Sequence, residues 1–131
     1  MPRHCSDAPP AELLAGIDQF NAGYWFACHE TLEELWAGEQ GDARDLYQGI
    51  LQVAVALHHW REGNYKGAMI LCDSSLRLLD RVTPHCQGVD VSRLLNDVTC
   101  LRSTLEQLGE ERMGALDSVL IPRIRLVAES S

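Results

Sequence analysis

The sequence predicts an all-α fold, a compact bundle of about five helices with an extended C-terminal tail. Apolar side chains recur every three or four residues along five segments, which is the period of a helix that packs on one side. Between the segments stand residues that end helices, such as Asn21 with Gly23, and Gly63 with Asn64. Because 46% of the 131 residues are hydrophobic, residues 1–131 are predicted to form a single helical domain.

The third helix is predicted to be the central one, because it is apolar on two sides. Its two-residue connection to the fourth helix makes these two helices antiparallel neighbours. The tail, residues 120–126, contains Pro122 and is expected to lie extended on the bundle. No internal repeat is evident. The predicted helices span about residues 11–21, 24–37, 42–62, 64–83 and 91–108.

The charge balance argues against two classes of partner. Nineteen acidic residues against eleven lysines and arginines give a formal net charge of -8. A phosphate backbone or an anionic membrane surface would be repelled, since Arg123 and Arg125 are the nearest approach to a basic cluster. We therefore expect no nucleic acid and no membrane as partner, which leaves a protein partner or a homo-oligomer.

The cysteines and the N-terminus indicate a cytoplasmic protein. Five widely spaced cysteines, none in a Cys-x-x-Cys pair, give no thiolate metal site and are predicted to be free thiols of a reducing compartment. Residues 1–10 lack the apolar stretch of a signal peptide. The longest apolar run, residues 50–57, is far shorter than the ~20 residues that cross a bilayer.

The second helix carries two polar side chains on its predicted apolar face. At about 100° per residue, four large apolar side chains fall within about 60° of His29, and Glu33 falls at about 40°. The four are Trp25, Phe26, Leu32 and Trp36. A carboxylate buried there needs a partner, because burying it alone costs several kcal/mol. His29, one turn away, is the nearest candidate.

The third helix carries polar side chains that would complete such a site. Gln48, Gln52 and His59 fall along one side of it, and His58 falls near the side of Tyr47. We predict a polar or metal site of four residues with four lining residues, if the two helices pack together. The site residues are His29, Glu33, Gln52 and His59; the lining residues are Trp25, Trp36, Gln48 and His58.

Four short blocks follow one another over about residues 13–80. They are Phe20-Asn21-x-Gly23, His29-Glu30-x-x-Glu33-x-x-Trp36, Tyr47-Gln48-Gly49-x-x-Gln52-x-Ala54 and His59-x-x-x-Gly63-Asn64-x-x-Gly67-Ala68. This arrangement resembles the bacterial and archaeal family known as domain of unknown function 309. The resemblance implies a small, all-helical cytoplasmic protein without an assigned activity. It also implies metal binding through the His-x-x-x-Glu-x-x-Trp motif, here His29, Glu33 and Trp36, although Trp25 and Ala27 depart from the family pattern.

Three functions remain open, and no catalytic residue is assigned. A buried His/Glu network would make the chain a structural or binding domain, which we favour because buried polar groups usually satisfy one another. Alternatively, His29, Glu33 and a histidine of the third helix would hold one divalent metal ion in a metal-dependent enzyme such as a hydrolase. A third alternative is a helical-hairpin adaptor for another protein, which predicts an exposed apolar patch. No cofactor other than this metal is expected.

Overall fold

The computed structural model describes residues 2–127, and its helices confirm the predicted fold class. A two-stranded antiparallel hairpin connects the last two of five α-helices in these residues. Two 3-10 turns follow the last helix, at Met113–Ala115 and Ser118–Leu120. In the same residues, no helix has both the length and the apolarity to span a bilayer. The elements are α1 (Ala11–Asn21), α2 (Trp25–Trp36), α3 (Ala43–Arg61), α4 (Tyr65–Asp80), β1 (His85–Cys86), β2 (Val89–Asp90) and α5 (Val91–Arg112).

The central position predicted for α3 is confirmed. It packs against α2 on one side and against α4 on the other. Its core side chains, among them Tyr47, Ile50 and Leu57, have no exposed surface. Gly49 permits the close approach of α4, because a Cβ at this position would lie 2.8 Å from Cδ2 of Leu79.

The hairpins α1–α2 and α3–α4 share one register, 40 residues apart. Gly23 and Gly63 both end a helix with positive φ, 84° and 79°. The backbone around each glycine makes the same bonds: the N–H of Tyr24 donates to Gln19, as that of Asn64 donates to His59. Buried positions also correspond, in pairs such as Leu13 with Val53, Ile17 with Leu57, and Leu32 with Cys72. The two hairpins therefore correspond in structure although no repeat is evident in the sequence, because the paired core residues differ in type while their spacing is kept.

The C-terminal tail lies extended on the bundle, as predicted. Asn21 fixes it with two hydrogen bonds of 2.9 Å: its Nδ2 donates to the carbonyl of Ile124, and its Oδ1 accepts from the backbone N–H of Ile124. Further along, Leu126 forms an antiparallel bridge with Val89 of β2. The tail is therefore joined to the end of α1 and to β2.

The cysteines are not all free thiols, which corrects the sequence-based expectation. Cys5 and Cys86 form a disulfide across 81 positions. This pairing could not be predicted, because it depends on where the N-terminal segment lies in space. Burial raises the pKa of Cys28 and of Cys72 to about 12, so both are neutral core residues. Cys100 is free and exposed.

Candidate functional site

The buried face of α2 is rotated away from His29. The residues of this helix that the core covers are Trp25, Cys28, Leu32 and Leu35. The centre of this stripe lies about 80° from His29 on the helix circumference. The prediction that His29 and Glu33 lie in the middle of the buried face was therefore wrong. Phe26, which was assigned to that face, is instead 57% exposed.

His29 and Glu33 form the expected pair, but at the edge of the protein surface. Nε2 of His29 lies 3.2 Å from Oε2 of Glu33, and the two side chains are 27% and 54% exposed. The carboxylate therefore keeps much of its hydration, so burial does not require a ligand to offset its charge. Only Nδ1 of His29 is enclosed, and it has no hydrogen-bond partner within residues 2–127.

An exposed aromatic ring contacts two histidines at this position. The Phe26 ring centre is 5.9 Å from that of His29 and 5.7 Å from that of His58. His58 is at the C-terminal end of α3, so the antiparallel packing of α2 on α3 brings it here. The predicted lining residue His58 and His29 therefore share a contact with the Phe26 ring, one imidazole on each helix.

His59, which was predicted to complete the site, instead contacts the cap of α4. Its Nδ1 accepts from Nδ2 of Asn64 at 3.2 Å, at the junction of α3 and α4. Oδ1 of Asn64 in turn accepts from the backbone N–H of Gly67 at 2.9 Å and caps α4. His59 therefore supports a helix cap, and within residues 2–127 it forms no hydrogen bond with the His29–Glu33 pair.

Loss of this cap has a measurable cost. Asn64→Ala is expected to lower the free energy of unfolding by about 1 kcal/mol, because the Gly67 N–H loses its acceptor. Asn96→Ala, at an exposed position of α5, is the matched control and should change stability little. Urea denaturation of the two variants and the wild type provides the comparison. Equal midpoints for Asn64→Ala and Asn96→Ala would show that the cap does not stabilise α4.

The two glutamines of α3 do not join the His29–Glu33 pair. Gln48 and Gln52 are half-buried on the outer side of α3. Oε1 of Gln52 is enclosed and, within residues 2–127, has no hydrogen-bond partner. Within these residues, no hydrogen bond joins Gln52 to His29 or Glu33, with which it was predicted to form a site.

The two tryptophans of α2 lie at opposite ends of the helix and cannot line one site together. Trp36 is half-buried and lies under Arg44, whose guanidinium carbon is 4.7 Å from the ring centre. Trp25 is 3% exposed and packs edge-to-face on Trp60 at 6.3 Å. Both therefore serve packing and cation–π contact.

A metal site of three or more ligands is not found in the described part of the chain. No group of three His, Cys, Asp or Glu side chains among residues 2–127 is arranged to hold an ion. His29 and Glu33 alone would offer two ligands. No signal in the sequence singled out Phe26 as exposed, since a Phe at this spacing is more often buried.

Comparisons with known proteins relate this chain to a family of unknown function and to uncharacterised proteins, so they bring no activity. Residues 13–71 match the family model described as Domain of unknown function (DUF309). The chain is 37% identical over 101 residues to "Uncharacterized protein YpuF" of Bacillus subtilis strain 168, covering 75% of this chain and 55% of that protein. It is 27% identical over 107 residues to an "Uncharacterized protein" of Aquifex aeolicus strain VF5, covering 79% of this chain and 30% of that protein. The chain thus spans about half or less of the length of these relatives.

Proposed function

We propose that this chain, whose residues 13–71 match the DUF309 family model, is a non-catalytic binding module that holds a partner polypeptide. The partner lies on a surface that we call the Phe26 face. This face comprises Phe26, His29, Glu30 and Glu33 of α2 and His58 of α3.

The observation that carries this proposal is the exposure of Phe26. A phenylalanine that is 57% exposed on a rigid helix contributes little to folding, and it offers a large apolar surface to a partner. Aromatic side chains of this kind often dominate the binding energy of protein interfaces.

The charges around Phe26 indicate the chemistry of the partner. Glu30, Glu33 and Glu34 are exposed on the same side of α2, and within residues 2–127 only Glu33 has an ion-pair partner, His29. A segment with an apolar side chain against Phe26 and a lysine or arginine beside Glu30 would complement the face. The proposed partner is therefore a basic, amphipathic segment of another protein.

The test compares three baits purified without tags that bind metal. Phe26→Ser removes the exposed ring, and Ile70→Ser is the matched control, because Ile70 is 56% exposed on α4. We expect one protein to be captured by the wild type and by Ile70→Ser but not by Phe26→Ser, and to bind less at high salt. That protein, once purified, should bind the wild type at least tenfold more tightly than Phe26→Ser, a difference of about 1.4 kcal/mol.

Three outcomes contradict the proposal. The first is that no captured protein depends on Phe26. The second is that the Phe26-dependent partner is a second copy of this chain, in which case sedimentation shows a dimer that Phe26→Ser dissociates. The third is that Phe26→Ser unfolds the protein, since an exposed ring should change stability little.

A divalent metal is the second candidate, and the 3.2 Å approach of His29 to Glu33 is the observation in its favour. Thermal unfolding with and without zinc separates the two functions, because a metal that binds only the folded state raises Tm. A binding module should show the same response in the wild type and in His29→Ala. A zinc-dependent rise in Tm that His29→Ala abolishes would favour the metal site.

A further inference from the structure

A cavity beside the C-terminal tail carries a site of different chemistry from the Phe26 face. It has a volume of about 360 Å³ and lies between the α1–α2 turn, the end of α3 and the tail. Its walls include Gly23, Trp25, Arg61, Ile121 and Arg123. The volume is in the range of small-molecule sites, roughly 300–1,000 Å³. We call it the tail cavity.

Both arginines of the tail cavity lack an acidic partner. Within residues 2–127, Arg61 and Arg123 form no salt bridge, whereas Arg3, Arg81 and Arg102 each lie beside an Asp or a Glu. Acidic residues are in excess in this chain, with a net charge of -8. Two unpaired guanidinium groups at one cavity therefore form a local positive site in a negatively charged protein.

Arg61 is already held in place. Its guanidinium carbon lies 3.9 Å from the ring centre of Trp25, and its Nη2 donates to the carbonyl of Gly23 at 3.0 Å. Because a guanidinium group has five N–H donors, others remain available for a ligand. A preoriented arginine loses little side-chain entropy when an anion binds.

Trp25 carries a buried donor without an acceptor in the described part of the chain. The residue is 3% exposed, lines the tail cavity, and its Nε1 has no hydrogen-bond partner within residues 2–127. Trp60, which packs against it, donates its own Nε1–H to the carbonyl of Met113 at 2.9 Å. A buried donor without an acceptor is costly, so an acceptor atom at this position would be stabilising.

The adjoining end of α2 lacks the cap that its counterpart has. In α4, the side chain of Asn64 accepts from the backbone of the first turn. The equivalent residue of α2, Tyr24, makes no such bond, and the first turn of α2 contains no acidic residue. The positive end of this helix dipole therefore faces the α1–α2 turn without compensation from its own side chains.

We propose that the tail cavity binds a small organic oxyanion, a phosphate or carboxylate group on an apolar body. Arg61 and Arg123 bind the oxygen atoms, and the Trp25 indole and Ile121 contact the body. Guanidinium groups bind both kinds of oxyanion through paired N–H donors. This site is independent of the Phe26 face, because Phe26 lies about 100° from Trp25 around α2.

Titration calorimetry with three probes of similar shape tests the proposal: phenyl phosphate, benzoate and neutral benzamide. The wild type should bind at least one anionic probe and bind benzamide more weakly. Arg61→Gln and Arg123→Gln should each weaken binding of that anion by about tenfold or more. Arg77→Gln, at an exposed arginine of α4 that forms no salt bridge within residues 2–127, is the matched control and should bind like the wild type. The tighter of the two anions identifies the group as phosphate or carboxylate.

Two further measurements keep the result unambiguous. Arg61→Gln also removes the contact with Trp25, so its Tm is measured; Arg123 is exposed, and its replacement should leave the core intact. Phe26→Ser should leave probe binding unchanged, which separates this site from the proposed protein interface. The proposal is overturned if benzamide binds as tightly as the better of the two anions, if no anion binds at millimolar concentration, or if neither arginine variant weakens binding of that anion.

Discussion

Reduction of the Cys5–Cys86 disulfide is expected to lower the free energy of unfolding by about 4 kcal/mol. The two cysteines are 81 positions apart, and cross-linking so long a loop removes much of the conformational entropy of the unfolded chain. The same loss should follow in the double variant Cys5→Ser/Cys86→Ser. Denaturant unfolding with and without a reductant measures it.

The folded structure itself should survive reduction, because other bonds hold the same residues. The backbone N–H of Gln87 donates to the carbonyl of Cys5 at 2.7 Å, and Nε2 of Gln87 donates to that of His4 at 3.2 Å. Oε1 of this buried glutamine accepts from the Tyr47 hydroxyl at 2.7 Å. Cys100→Ser, at an exposed free thiol, is the control and should leave stability unchanged.

Thiol counting decides whether the bond forms. The oxidised, unfolded protein should show three reactive thiols and the reduced protein five. Five thiols under oxidising conditions, or equal stability with and without reductant, would contradict the prediction.

Replacement of Glu39 is expected to have the second largest effect. Its side chain is 4% exposed and accepts backbone N–H groups from three residues: Arg3 at 2.7 Å, Gly41 at 2.9 Å and Gln40 at 3.1 Å. Glu39→Ala leaves these donors without an acceptor and should lower the free energy of unfolding by about 3 kcal/mol. Glu39→Gln keeps an acceptor oxygen and should cost about half as much.

The same hydrogen bonds of Glu39 should make stability depend on pH in acid. The backbone N–H of Arg3 is the main cause that lowers the pKa of Glu39, with the Gly41 N–H and the Arg3 charge adding to it against a smaller opposing effect of burial. Because the folded pKa lies below the unfolded value, the stabilisation is present above that value and is lost as the pH falls through the folded pKa. The wild type should therefore lose more stability than Glu39→Gln below pH ~4.5.

Urea denaturation across this pH range, with Glu34→Gln as an exposed control, makes the comparison. If the free energy of unfolding falls equally in the wild type and in Glu39→Gln as the pH is lowered, the carboxylate is not held as the structure shows. Gly41 offers a second check on the same contact, since a Cβ there would collide with the backbone of Arg3. Gly41→Ala should therefore displace the N-terminal segment.

Helix boundaries were predictable because they are set by neighbouring residues. Gly23 and Gly63 end α1 and α3 where their positive φ places them, and Asn64 caps α4 as its side chain suggests. Gly109, with φ of 72°, likewise interrupts α5 at the end of its apolar repeat. None of these features depends on the rest of the fold.

The rotation of α2 was not predictable in the same way. Apolar side chains cover more than half of its circumference, so its own sequence does not decide which of them the neighbouring helices bury. Gly16 of α1 determines which side of α2 is buried, because a Cβ there would lie 2.8 Å from Cδ2 of Leu32. Leu32 therefore fits against α1, Cys28 and Leu35 follow it inward, and Phe26 is turned outward.

Contacts between residues far apart in the sequence could not be predicted for a related reason. Cys5–Cys86 and Arg3–Glu39 join residues 81 and 36 positions apart, and neither position has a local pattern that points to the other. The two arginines of the tail cavity are likewise brought together only by the docking of the tail on α1. Local periodicity predicts elements, whereas these contacts depend on how the elements meet.

Site-specific photo-crosslinking in living cells tests the role of the Phe26 face most directly. A photoreactive phenylalanine analogue replaces Phe26 in one variant and Ile70, equally exposed on α4, in the other. The binding module predicts one discrete adduct with another protein from position 26, none from position 70, and loss of the adduct when Glu30→Lys is added. No adduct from position 26, or the same adducts from both positions, would contradict the binding function.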